Sequence, residues 1–164
     1  MRRRLRLTGI TWAKGNLFFV TFSSTNLDKY PLEAQTNLTV FEFVSQGPNG
    51  PIPKLIQFQQ INQSPIYNLA FGNKNGETGE IDDLAVSNNG DTQKVLATVV
   101  AALYAFLDNY PEAYVYATGS TTDRTRLYRM GITRFYEEVV QDFELYGQIG
   151  SDRRSGRFSP IWGW

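Results

Sequence analysis

DTQKVLATVVAALYAFLDNYP, residues 91–111, is where the period of the chain changes. Val95, Val99, Leu103 and Phe106 recur at helical spacing, with Leu96, Val100 and Leu107 beside them. Asp91 or Thr92 suits an N-cap, and Pro111 marks the stop. So broad an apolar face predicts a helix packed hard on a sheet.

The sheet is read on either side of that helix. Upstream, residues 5–12 and 16–24 read as strands joined by the turn Ala13-Lys14-Gly15-Asn16. Residues 25–36 are polar, contain Pro31, and read as a loop. LTVFEFVS, 38–45, sets Val40, Glu42 and Val44 against Phe41 and Phe43. GPNGPIP, 47–53, is strong turn punctuation, and KLIQFQQI, 54–61, pairs back as a hairpin. PIYNLAFG, 65–72, and EIDDLAVS, 80–87, read as further strands. Downstream come a strand at 113–120, helices at 122–130 and 133–141, and a strand at 143–149.

The expected fold class is α+β: an antiparallel-rich mixed sheet followed by a β-α-β-α-β half. Residues 1–150 are expected to form one domain, with 151–164 a flexible C-terminal tail. In the second half, strand 80–87, helix 91–109 and strand 113–118 form one crossover unit. If its strands are parallel, SNNGDT and GSTTDR lie at the same sheet edge, where ligands of open α/β sheets bind.

Composition narrows the chemistry. The chain has 164 residues, no cysteine, no histidine and a formal net charge of zero. Disulfides, thiolate metal sites and His-based nucleophile pairs are excluded. Zero net charge supplies no global argument for nucleic acid or a membrane surface. MRRRLRLTG lacks a following apolar segment, because Thr8, Gly9, Thr11 and Lys14 interrupt it. The expectation is a soluble, cytoplasmic protein that does not engage a membrane.

FEFVSQGPNGPIPKLIQF, YNLAFGN, IDDLAVSNNGDTQKVLATV and GSTTDRTRLYRMGI resemble a bacterial family known as a domain of unknown function, DUF6934. The resemblance runs from residue 5 to residue 147 and implies no activity, cofactor or substrate. A remoter similarity of layout links the chain to the GCN5-related N-acetyltransferase fold. Leu127, Tyr128, Gly131 and Ile132 resemble the end of that fold's second helix in this half. At the place of its acyl-CoA pyrophosphate loop the chain reads SNNGDTQKVL. Gly90 conforms there, while Asp91 sets a negative charge where the pyrophosphate would sit.

Two stretches have residues suited to an anion. Gly119, Ser120 and Thr121 offer backbone N–H groups and hydroxyls where a helix begins. Arg124 and Tyr128, four apart, share a face of that helix and suit phosphate or carboxylate. Equally, Thr122 or Asp123 caps the helix and its arginines pair with Glu137, Glu138 or Asp142. Asn88 and Asn89 offer amides and Gly90 a left-handed turn, or the stretch is simply a capped strand-to-helix turn. Asp82 and Asp83 are adjacent on an expected strand and face opposite sides, so no metal site is expected.

The function expected from these residues is a non-enzymatic binding or interaction module with an anion-favouring pocket at 88–92 and 119–128. The partner is a small anionic ligand or a protein, and no cofactor is expected. One alternative is an acyl-CoA-dependent acyltransferase-like enzyme with Tyr128 as general acid. Another is nucleic-acid or protein binding through the basic ends, Arg2–Arg4 and Arg6 with Arg153, Arg154 and Arg157. Tyr110, Tyr114 and Tyr116 suit either a homodimer face or sheet packing.

Overall fold

The computed structural model describes residues 3–4, 10–13, 28–82, 85–117, 130, 134, 137, 143–149 and 157–160. In chain order the elements are β1 (Arg3–Arg4), β2 (Ile10–Ala13), β3 (Glu33–Ala34), β4 (Val40–Ser45), β5 (Ile52–Gln60), β6 (Ile66–Lys74) and β7 (Ile81–Asp82). They are followed by α1 (Thr92–Asn109), β8 (Tyr114–Ala117), β9 (Phe143–Ile149) and β10 (Arg157–Pro160). The class is α+β. The described strands form one mixed sheet in the order β1-β9-β2-β8-β6-β5-β4-β3, with β10 on β9 and β7 on β6.

The middle of the sheet follows the alternation in the sequence. Phe41 and Phe43 of β4 are buried while Val44 is exposed. Register carries this face across the sheet: Phe41 stands opposite Ile56, Ile56 opposite Phe71, and Phe58 opposite Leu69. The turn between β4 and β5 closes with Gly50 N–H donating to Gly47 O at 2.9 Å. Gly50 has φ +81°, a conformation that glycine adopts without a Cβ penalty.

α1 covers this face. Val95, Val99, Leu103, Phe106 and Leu107 are buried, so the apolar stripe expected at 91–111 is the one that packs. The Phe106 ring stacks on Phe58 of β5 at 4.1 Å and meets Tyr67 of β6 edge-on at 5.0 Å. Each such fully buried side chain contributes about 1.5–3 kcal/mol relative to exposure. Tyr110, weighed above as a dimer contact, belongs to this cluster: it stacks on Phe106 at 4.8 Å, and its hydroxyl donates to Asn37 O.

The crossover differs from expectation. EIDDLAVS does not run as a strand over 80–87; among its described residues only Ile81–Asp82 does, paired antiparallel with Lys74 and Asn73. Asp82 Oδ1 accepts the Ala85 N–H at 3.0 Å and turns the chain out of the ladder. The parallel neighbour of β8 is therefore β6, with Ile66 opposite Tyr114 and Leu69 opposite Ala117. The crossover unit is β6–α1–β8.

Two further stretches depart from the sequence expectations. Within the expected loop 25–36, Glu33–Ala34 pairs with β4. Residues 157–160, placed in a tail by composition, form an antiparallel strand on β9. Of the helices expected at 122–130 and 133–141, Met130, Arg134 and Glu137 are described, each helical. The expected strand at 16–24 lies outside the described residues.

Candidate functional site

Residues 85–91 run from β7 to α1 without strand pairing, and side chains determine their course. Lys54, buried at the start of β5, donates from Nζ to Asn73 Oδ1 and to Ser87 Oγ at 2.8 Å. Asn49, in the β4–β5 turn, donates to the carbonyl oxygens of Ser87 and Asn88 at 2.9 and 3.2 Å. Asn89 enters the opposite way. Its Nδ2 donates to Ser45 Oγ at 2.9 Å and to Gly50 O at 3.0 Å, and its Oδ1 accepts the Asn49 N–H at 2.9 Å. The two stretches approach so closely that a Cβ on Gly47 would lie 1.9 Å from Asn89 O.

The residues singled out in SNNGDT thus separate by role. Asn89 is 3% exposed and its amide is spent within the fold, so it does not present to a ligand. Asn88 is exposed at φ +41°, a left-handed conformation that Asn tolerates better than most residues. Gly90, at φ +72°, lines a cleft. Gly119, Ser120, Thr121, Arg124 and Tyr128 lie outside the described residues.

That cleft, about 910 Å³, opens at the start of α1. Gly90 to Lys94 form one wall, Asp28, Tyr30 and Gln46 another, and Arg134 also lines it. Asp91 occupies the N-cap position but makes no side-chain cap bond, and the first turn of α1 contains no acidic residue. Its carboxylate instead turns to two hydroxyls: Oδ2 accepts from Tyr30 OH at 2.7 Å and from Ser45 Oγ at 2.6 Å. The Tyr30 oxygen accepts the Gln46 N–H at 3.0 Å. The result is a linked polar chain, Asn89 to Ser45 to Asp91 to Tyr30, between the β4–β5 turn and the cleft.

Tyr30 is clamped from its other end too. Its N–H donates to Thr98 Oγ1 at 2.9 Å, and Thr98 donates to Lys94 O at 2.7 Å. Lys94 Nζ lies 4.5 Å from the Tyr30 ring centroid, a cation–π contact, and 3.0 Å from Asp28 Oδ1. Asp28 is 81% exposed, so this ion pair is worth no more than about 1 kcal/mol and a competing anion can displace it.

Burial pushes the Tyr30 phenol above its ordinary 10.0; the Gln46 N–H bond pulls it down, and Asp91 adds to the rise. Tyr67 is raised by burial and then by Tyr110. Both groups therefore ionise more readily in the unfolded chain than in the folded one. The stability tied to their neutral forms is fully present below pH 10.0 and is lost as pH rises through the higher folded values. Melting temperature is expected to fall above pH 10.0, in step with tyrosinate absorbance, and to fall less steeply in Tyr30→Phe. Melts across the alkaline range check this.

Sequence reading missed Tyr30, Ser45 and Thr98. Tyr30 did leave a signal: an aromatic beside Pro31 in an otherwise polar stretch must bury its ring somewhere. Nothing local marks Ser45 or Thr98. Among the described residues no group of three His, Cys, Asp or Glu residues is placed to hold a metal ion. No helix among them is long and apolar enough to cross a membrane.

Comparison with known proteins adds one result. Residues 26–160 match the model of DUF6934, described as a family of unknown function. The chain belongs to this family. The match covers the cleft, from Asp28 to Arg134, and extends to β10. No curated protein and no solved structure matches the chain.

Proposed function

We propose that this member of the family is a non-enzymatic binding module whose cleft at the start of α1 takes a small anionic ligand through a phosphate or carboxylate group. One observation carries the reading. The first turn of α1 meets the cleft without a side-chain cap or an acidic residue, and Lys94 and Arg134 share the same cleft. Backbone N–H groups at a helix start, with a lysine and an arginine beside them, favour an anion. Asp91 would oppose it, but two hydroxyl bonds engage its Oδ2. Asp28 acts as an internal competitor for Lys94. The reading extends to the arginine stretch, with Arg124 and Tyr128 as a second arm on the same anion.

A thermal-shift panel of phosphate, sulfate, acetate, nucleotides, acetyl-CoA and short nucleic acids tests it. A true ligand at 100 times its Kd stabilises by about 2.7 kcal/mol, which a melt resolves. Lys94→Ala is expected to weaken binding of the active anion, and Asp28→Asn to strengthen it. Arg124→Ala probes the second arm. No shift with any anion, or a shift indifferent to Lys94→Ala and Asp28→Asn, would overturn the reading.

A second reading has one observation in its favour. β6–α1–β8 is a parallel crossover, and its helix begins at the stretch that stands in the place of the acetyltransferase pyrophosphate loop, where Gly90 alone conforms. On this reading the fold is acetyltransferase-like, the anion is the pyrophosphate of acyl-CoA, and Tyr128 is the general acid. A shift with acetyl-CoA but not phosphate, with acyl transfer lost in Tyr128→Phe, would select it.

A further inference from the structure

The chain contains three Asn-Gly pairs, at 49–50, 75–76 and 89–90. In such a pair the backbone nitrogen of glycine can attack the side-chain amide carbon, with no side chain on the attacking residue to hinder it. The fold gives the three amides different surroundings. Asn89 is 3% exposed, with both amide atoms engaged. Asn49 is exposed, but its Nδ2 is held on the carbonyl oxygens of Ser87 and Asn88, which draws the amide toward that neighbouring stretch.

Asn75 differs. It is half-buried where β6 turns toward β7, and its Oδ1 accepts the N–H of Glu77 at 2.8 Å and of Thr78 at 3.1 Å. Those donors come from the residues after Gly76, so they draw the carboxamide along the Asn75–Gly76 peptide. They also point at the oxygen on which negative charge grows when a nucleophile adds to Cγ, the arrangement that stabilises an oxyanion. A Cβ on Gly76 would meet nothing within 4 Å, so the attacking residue stands in open space.

We infer that Asn75 is a self-modification site at which the folded chain converts asparagine to aspartate and isoaspartate. Gly76 N gives its proton to solvent base and bonds to Asn75 Cγ. The Cγ–Nδ2 bond breaks, and the amide nitrogen leaves as ammonia. Water then opens the cyclic imide at either carbonyl, and nothing is oxidised or reduced. The product adds a carboxylate to a hairpin that already contains Glu77, Glu80 and Asp82.

The test is to incubate the full-length folded chain in mildly alkaline buffer and follow each Asn-Gly peptide by mass spectrometry with isoaspartate detection. Asn75 is expected to convert about tenfold faster than Asn49, equivalent to about 1.4 kcal/mol off the barrier. Asn89 is expected to stay intact. In denaturant the three rates are expected to converge, because the local sequence is then all that differs. If accessibility alone governed the reaction, the more exposed Asn49 would keep pace with Asn75. Equal rates at those two in the folded chain, faster loss at Asn49 or Asn89, or no conversion at Asn75 would overturn the assignment.

Discussion

Phe106→Ala is expected to lower unfolding free energy by about 3–5 kcal/mol, the range for truncating a fully buried aromatic side chain. Phe106 is fully buried. Its ring is the centre of an aromatic cluster, with Phe58 at 4.1 Å, Tyr110 at 4.8 Å and Tyr67 at 5.0 Å. Truncation removes transfer energy and opens a cavity between α1 and the sheet. The neighbours are rings on β5, on β6 and at the end of α1, so they cannot collapse into it together. A domain of this kind is stable by only about 5–15 kcal/mol, so the loss is a large share of the total. Urea denaturation measures it, with an unchanged m value showing that stability rather than compactness has moved. A loss below about 1 kcal/mol, the size of an average substitution, would mean that α1 does not pack on β5 and β6 through this residue.

Asn89→Ala comes next, with an expected loss of about 2–4 kcal/mol, since each buried partner left unsatisfied costs about 1–3 kcal/mol. Three partners lose a bond together: the buried Ser45 Oγ, which keeps its bond to Asp91, and the part-buried Gly50 carbonyl and Asn49 N–H. Ser45 in turn donates to Asp91, so the loss reaches the wall of the cleft. Asn88→Gly is the matched control. Asn88 is exposed at φ +41°, where glycine has no steric penalty, and a change within about 0.5 kcal/mol is expected. Thermal or urea unfolding of the pair separates a structural staple from a loop residue. Equal, small effects would mean that Asn89 does not hold the stretch 85–91 to the β4–β5 turn.

Much of this fold was legible before any coordinates. The alternation of Phe41 and Phe43 with Val40, Glu42 and Val44, the turn GPNG and the helical spacing of Val95, Val99, Leu103 and Phe106 are local patterns. Each depends on residues a few positions apart, and the backbone period alone turns them into faces. The reading failed at EIDDLAVS because Leu84 and Val86, two apart, fit a strand, while the Asp82 side chain takes the Ala85 N–H away from the ladder. That competition between side chain and ladder is invisible in a hydropathy pattern.

The cleft was legible only in part. Gly90 and Asp91 drew notice as a turn and a helix start, while Lys94, in the same stretch, was not singled out. Tyr30 and Ser45 join them from 61 and 46 residues away. Nor could local sequence say that Asp91 would leave the helix end uncapped, since the two hydroxyls that recruit its carboxylate belong to distant strands and loops. By itself the sequence determined an α+β chain with a long apolar helix, an alternating sheet and no histidine or cysteine chemistry. The tertiary structure alone decided that β8 lies beside β6, that Asn89 is a staple and that the start of α1 meets an open cleft. Those outcomes depend on pairings across tens of residues, and the energy that selects among such pairings appears only once the chain has closed on itself.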